Sequence, residues 1–234
     1  MIELKISAKT ILWATSVAVL GTVCAPQVMA KDGKAYIATG TGFQDRTNTK
    51  FKVDGVKDAH EVNWHTGDYD VELVGGYDFG TFRLEGEASY KRSRVHYYTV
   101  NVPTVLDATK PPAEGFFPHI TGRIRQKSLM INALAETGGN EHIGVYAGGG
   151  IGLTEVNVRR FLYGRNLFLK DKDVRPAFQA VAGVRLPIGD HLEAGLKGRY
   201  MMTSGARFTG AINGLSYKGD FDTVSALGTV SWNF

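Results

Sequence analysis

Side-chain polarity along most of this chain alternates with a period of two, and the alternation comes in paired runs. Tyr69, Val71, Leu73, Gly75, Tyr77 and Phe79 fall on one face of an extended segment, with Asp70, Glu72, Val74, Gly76 and Asp78 on the other. After Asp78-Phe79-Gly80-Thr81 the pattern resumes, with Phe82, Leu84, Gly86, Ala88 and Tyr90 set against Arg83, Glu85, Glu87 and Ser89. Successive side chains of a strand point to opposite faces, so two such runs around a tight turn make a hairpin. The same grammar recurs from Leu129 to Ala135 and back from Ile143 to Leu153, and from Phe178 to Leu186 and back from Leu192 to Met202. It closes with Val224, Ala226, Gly228, Val230, Trp232 and Phe234. A first strand over roughly 35–43 has Tyr36 and Ile37 adjacent, which leaves its facing open. The reading gives eight strands.

The connections alternate too. Those near Asp78, Gly138 and Pro187 are tight, whereas 44–67, 93–122, 155–174 and 203–222 are long and polar. Short turns at one end and long loops at the other are the habit of outer-membrane barrels, whose turns face the periplasm. A Greek-key sandwich has no reason to alternate in this way.

The segment 1–30 reads as a secretory leader rather than structure. Lys5 and Lys9 precede an apolar run from Ile11 to Val23, and Val28-Met29-Ala30 supplies small residues for cleavage after Ala30. The run is shorter than the about 20 residues a spanning helix needs. Cleavage would remove the single cysteine, Cys24, and lower the net charge from +4 to +3. No disulfide framework is expected. With 43% apolar and 21% charged residues the chain is too apolar for disorder. Beyond the leader no stretch approaches 18 apolar residues, so the expected domain, 31–234, is either soluble or a membrane barrel.

Side-chain volume separates these two. An eight-stranded barrel is just wide enough for side chains to fill. Its interior does not easily hold Phe82, Leu84, Tyr90, Phe178, Leu192, Leu196, Tyr200, Trp232 and Phe234. Turned outward, these form an apolar belt with aromatic girdles, and no Lys or Arg interrupts the belt at mid-depth, where one costs about 2–4 kcal/mol. The inward set is then Asp70, Glu72, Glu85, Glu87 and Glu193 against Arg83, Arg185, Lys197 and Arg199, a nearly balanced group expected to pair. Gly148, Gly149, Gly150 and Gly152 read as thin strand positions beside bulky neighbours. They lack the spacing and following helix of a nucleotide loop, and no cofactor is expected.

Two stretches carry a resemblance. Val230, Trp232 and Phe234 alternate outward to the last residue, and a final strand ending Trp-x-Phe resembles the C-terminal signal read by the barrel-assembly machinery of bacterial outer membranes. The run from Asp68 through Glu87 is similar to the first hairpin of the OmpA-like and opacity-type small barrels. The resemblance spans essentially the whole of 31–234. It implies an all-β, eight-stranded, antiparallel up-and-down barrel in the cell outer membrane of a Gram-negative envelope, without the peptidoglycan-binding domain of full-length OmpA. It implies no single activity, since a fold does not fix function.

His60-Glu61 and His65 miss the His-Glu-x-x-His spacing of a zinc helix and fall in a polar connection, so no metal is expected. His142 and His191 each open a strand after a tight turn and belong at the periplasmic rim. Pairing His96 with Ser93 or Ser204 for acyl chemistry on lipid A needs loop contacts that spacing does not supply. The stronger candidate is electrostatic. Lys91, Arg92, Arg94, Arg123, Arg125, Lys127, Arg159, Arg160, Arg165 and Arg175 cluster near the outer strand ends, interleaved with Tyr97, Tyr98, Phe161 and Tyr163. Lipopolysaccharide phosphates suit Arg forks, while the plainer reading is a solvated rim that stops the strands sliding into lipid. The basic residues form no continuous groove for nucleic acid. The expected role is therefore non-enzymatic, in envelope integrity and surface contact through lipid, lipopolysaccharide and loop ligands. A narrow ion or solute channel and a lipid A-modifying enzyme are the alternatives.

Overall fold

The structure is a computed structural model that describes residues 33–137 and 143–234. The leader expected over 1–30, the turn at Gly138 and His142 lie outside the described residues. The strands, in order, are β1 (Lys34–Arg46), β2 (Thr49–Val53), β3 (Val56–Trp64), β4 (Asp68–Asp78), β5 (Phe82–Thr104), β6 (Ala113–Phe117) and β7 (Thr121–Thr137). They continue with β8 (Gly144–Tyr163), β9 (Asn166–Pro187), β10 (Leu192–Thr203), β11 (Ala206–Thr209), β12 (Ser216–Gly219) and β13 (Thr223–Asn233).

Eight of these strands close a ring of antiparallel ladders in the order β1-β4-β5-β7-β8-β9-β10-β13, with β13 returning to β1. Each is a strand that the alternation predicts. The β4–β5 turn shows why the hairpin sits where it does. Asp78 Oδ1 accepts the Gly80 N–H at 2.8 Å, Gly80 takes a φ of 96°, and Phe79 N–H donates to the Phe82 carbonyl at 2.9 Å. A residue with a Cβ would resist that φ. The register of β1 settles its facing: Tyr36 is buried in the barrel and Ile37 faces out. Gly76 leaves the space that the Tyr36 ring fills on its way to Glu85, whose Oε1 accepts the Tyr36 hydroxyl at 2.6 Å.

Strand length departs from the expectation. Crossing a membrane takes about 9–11 tilted residues. That is close to β1, β4, β10 and β13, of 13, 11, 12 and 11 residues, whereas β5, β8 and β9 run to 23, 20 and 22. The excess rises past the membrane on one side of the barrel. There β3 pairs with β5, β2 with β3, β12 with β2, and β6 with β5. The four long polar connections are thus largely strand, not loop. They enclose a second core of Phe51, Trp64, Tyr98, Phe161, Phe168, Phe208, Tyr217 and Phe221, with Val62, Val156, Val158 and Leu169 among them. Only the outward half of each of these strands is polar, which is what gave the segments their loop-like composition.

Candidate functional site

The barrel axis is filled in layers. Near the short turns, Arg83 meets Asp78 at 2.8 Å and Glu136 at 2.8 Å, while Arg185 pairs with Glu136 and, at 2.9 Å, with Glu193. The next layer up sets Lys197 against Glu72 at 2.9 Å and Glu87 at 3.1 Å, and Arg199 against Asp70, Glu72 and Glu87. Asn132 and Gln179 each donate to Glu87 at 3.1 Å, and Asn132 reaches Glu85 at 3.4 Å. Asp70, Glu72, Arg83, Glu85, Glu87, Glu193, Lys197 and Arg199 are buried along the axis, and Arg185 is partly buried beside them. Unpaired ions in so narrow a space are heavily penalised, and the cross-strand acids Glu72 and Glu87 coexist because Lys197 and Arg199 lie between them.

The structure adds Asp78, Glu136, Arg46 and Lys91 to this interior. Lys91 corrects its expected place at the rim: it is fully buried, 3.6 Å from Asp70. Its position follows from the same alternation that turns Glu87 and Ser89 inward, whereas its charge alone argues for the rim. Above it, Arg46 donates to Ser93 at 3.0 Å and to Gln126, with its guanidinium over the Trp64 and Phe221 rings. Ser93 also accepts from Gln44 at 2.6 Å. It therefore points to the axis while His96 is exposed on the outer face, and the Ser93–His96 pairing is not formed.

The rest of the basic set divides. Arg175 lies on the inner side of β9 in a 2.7 Å pair with Asp173, so it too leaves the rim. Arg160 sits at the irregularity between Val158 and Phe161 with a φ of 53°, and Arg165 follows Gly164 at the exposed β8–β9 turn. The remaining six form a ladder across the outer faces of β5, β7 and β8. Arg92 stands opposite Arg125, and Arg94 opposite Arg123, which in turn faces Arg159; Lys127 lies opposite Glu155. Arg94 pairs with Asp68 at 3.0 Å. Among the described residues no carboxylate pairs with Arg92, Arg123 or Arg125, and the shielded Nε atoms of Arg92 and Arg125 have no hydrogen-bond partner. Like charges directly opposite destabilise a ladder, and an anion seated between them would relieve that cost.

Directly below the ladder, Tyr69 and Tyr90 stand with ring centroids 6.0 Å apart, and the stacked pair Phe79–Phe82 marks the other end of the belt. From Phe82 to Tyr90 the strand climbs about 20 Å, at about 3.3 Å per residue and a tilt of about 40°. Between them Leu129 and Ile131 are 68% and 69% exposed, a state that an apolar neighbour such as lipid makes favourable. At the lower rim His191 stacks on Trp232 with centroids 5.6 Å apart. His60 and Glu61 occupy opposite faces of β3. His60 is buried in the outer core, its Nδ1 2.6 Å from the Tyr98 hydroxyl and its Nε2 2.9 Å from Thr104 Oγ1. Burial lowers its pKa from 6.5 to about 4.

The sequence model of the outer membrane protein beta-barrel domain family matches residues 15–234. The chain belongs to that family. Membership places it in the outer membrane, in keeping with the outward apolar belt. Among solved structures of similar fold are outer membrane protein OprG of Pseudomonas aeruginosa, 17% identical with a TM-score of 0.58, and the outer membrane protease OmpT of Escherichia coli, 9% identical with a TM-score of 0.52. The first likeness covers 90% of this chain and 99% of OprG, the second 91% and all of OmpT. Neisserial surface protein A is 11% identical with a TM-score of 0.49, over 87% of this chain and all of that one. No curated protein matches the chain. The barrel fold does not fix an activity, and among the similar structures it carries a protease.

Proposed function

We propose that this chain is a closed, non-enzymatic structural barrel that holds lipopolysaccharide at its outer rim and presents a folded body at the cell surface. The observation that carries the reading is the Arg92–Arg125 pair. Two half-buried guanidinium groups face each other on the lipid side, just above the Tyr90 girdle, with their Nε donors unpaired. A phosphate between them would convert repulsion into charge-assisted hydrogen bonds, and lipid A carries phosphate at that depth. Arg123 and Arg159 extend the positive field along the same ladder. The layered ionic axis and the aromatic core above it speak for a plug rather than a channel. Export would proceed through a leader cleaved after Ala30. The outward-facing Val230, Trp232 and Phe234 would serve the barrel-assembly machinery, and outer surfaces beyond the rim remain free for an extracellular ligand.

The test replaces Arg92, Arg94, Arg123 and Arg125 together with Gln. Purified barrels that still show heat-modifiable mobility are applied to immobilised lipopolysaccharide. Retention is expected to weaken by about tenfold or more, in line with the loss of two or more charged hydrogen bonds. Wild-type retention should fall equally on dephosphorylated lipopolysaccharide. Unchanged binding in both comparisons would overturn the reading.

A further inference from the structure

Above the arginine ladder the outer face of β5 changes character. Along the other parts of β5 one residue in two faces out, but the pairing with β3 slips between Asn63, which opposes Tyr97, and Trp64, which opposes Val95. His96 is the extra residue, so His96 and Tyr97 both lie on the outer side while Val95 and Tyr98 turn into the core. Bulges re-aim side chains in this way and are enriched beside functional sites. Two further rings complete a strip. His65 stacks on His96 with centroids 4.6 Å apart and planes 19° from parallel, and Phe116 lies 5.1 Å from Tyr97, itself 5.4 Å from His96. Phe116 is 60% exposed, although its neighbour Phe117 packs against the outer core. Phe117 turns inward, so the alternation of β6 sets Phe116 on the outer face.

The strip is bordered by groups that suit hydroxyls. Asn63 donates to the Tyr97 hydroxyl at 2.7 Å, and Glu61 lies on the same face of β3. It is not a second membrane girdle, because Arg92 and Arg94 separate it from Tyr90, and an interfacial belt does not sit above a charged layer. From the girdle upward, β5 presents a lipid face, then cations, then aromatic rings edged by an amide and a carboxylate. A ring of sugar C–H groups packs on such aromatic faces, whose quadrupole is negative, while its hydroxyls meet the polar border.

We propose that His65, His96, Tyr97 and Phe116 form a glycan platform that stacks the core oligosaccharide of the same lipopolysaccharide whose phosphates the arginine ladder holds. The assignment of the glycan to that lipid rests on the function proposed above; the ring geometry does not.

The experiment uses the full folded barrel in detergent and three variants: Tyr97→Ala with Phe116→Ala, His65→Ala with His96→Ala, and the four-arginine Gln variant. Each is bound to lipopolysaccharide carrying a complete core and to a deep-rough form lacking it. Wild type is expected to prefer the complete form by about tenfold, the yield of one or two aromatic stacking contacts. Both ring variants should lose that preference and keep wild-type affinity for the deep-rough form. The arginine variant should weaken on both. A wild type with no preference, or ring variants that retain it, overturns the assignment of the glycan to that lipid. Free core oligosaccharide cleaved from lipid A separates the two readings. Saturation transfer between its ring protons and wild type, absent in the ring variants, upholds the platform even where the arginine ladder has failed. Equal transfer to wild type and ring variants overturns it.

Discussion

The lower barrel and the outer body share β5, β7 and β8, which present opposite polarities in the two regions. Below Tyr90, β5 turns Arg83, Glu85, Glu87 and Ser89 inward and Phe82, Leu84, Gly86 and Ala88 outward. Above it, Arg92, Arg94 and His96 face out, while Val95, Tyr98 and Val100 are buried. β7 and β8 invert at the same height: Leu129 and Ile131 give way outside to Lys127, Arg125 and Arg123, and Thr154 gives way inside to Val156 and Val158. One backbone crosses from hydrocarbon into water, and the side that must be apolar changes with the solvent. The level of the inversion is therefore a marker of the membrane boundary, and the arginine ladder lies just beyond it.

Two core substitutions should separate these halves. Arg199 holds Asp70, Glu72 and Glu87 together, so Arg199→Ala leaves buried carboxylates without their shared partner. Removing one member of a buried ionic group costs about 3–5 kcal/mol. Urea unfolding of the whole barrel in detergent should shift by that amount, with little change in the exchange protection of β2, β3 and β12. Phe161→Ala acts on the other half. Its ring meets Trp64, Tyr98 and Phe168 edge to face, and the cavity left behind costs about 3 kcal/mol. Here hydrogen exchange in β2, β3, β11 and β12 should accelerate while the urea midpoint of the barrel stays near wild type. If both variants moved both readouts together, the two cores would be one cooperative unit and the comparison would fail.

The sequence shows the membrane part more plainly than the outer body, and the reason is physical. Within the belt one face meets lipid along its whole height, so alternation is clean and eight strands follow from it. In the outer body both faces mix. Val95, Tyr98 and Val100 continue the inward rhythm, yet the bulge at His96 shifts its phase, and the short strands β2, β11 and β12 have 5, 4 and 4 residues in which a period can show. Those segments read as polar loops for that reason. Lys91 and Arg175 differ for another reason: their charge argues for the rim, whereas each shares its parity with buried neighbours, Ser89 and Ala177. The spacing of Val156 and Val158, in phase with Thr154, was the available sign that β8 goes on folding above the membrane.

His60 offers the finest test, because it titrates only one of the two cores. The Thr104 hydroxyl donates to the Val102 carbonyl at 2.7 Å, so its oxygen is left to accept from His60 Nε2–H, and Nδ1 is left to accept from the Tyr98 hydroxyl. The ring is thereby held neutral, with Tyr98 and Tyr217 against its edges. Protonation would place a charge in an apolar core and a second N–H against a hydroxyl that already points at it. A histidine whose folded pKa is depressed to about 4 contributes stability that is complete above 6.5 and declines as the pH falls toward 4. At pH 5 the loss is about 2 kcal/mol, from 1.36 kcal/mol per unit over one and a half units. Exchange protection of the outer body should weaken by that amount between pH 7 and pH 5, with the His60→Gln variant flat over the same range. A wild-type outer body no more open at pH 5 than at pH 7, once intrinsic exchange is corrected, would mean that His60 takes up its proton without disturbing the core, and that the aromatic roof yields more readily than its packing indicates.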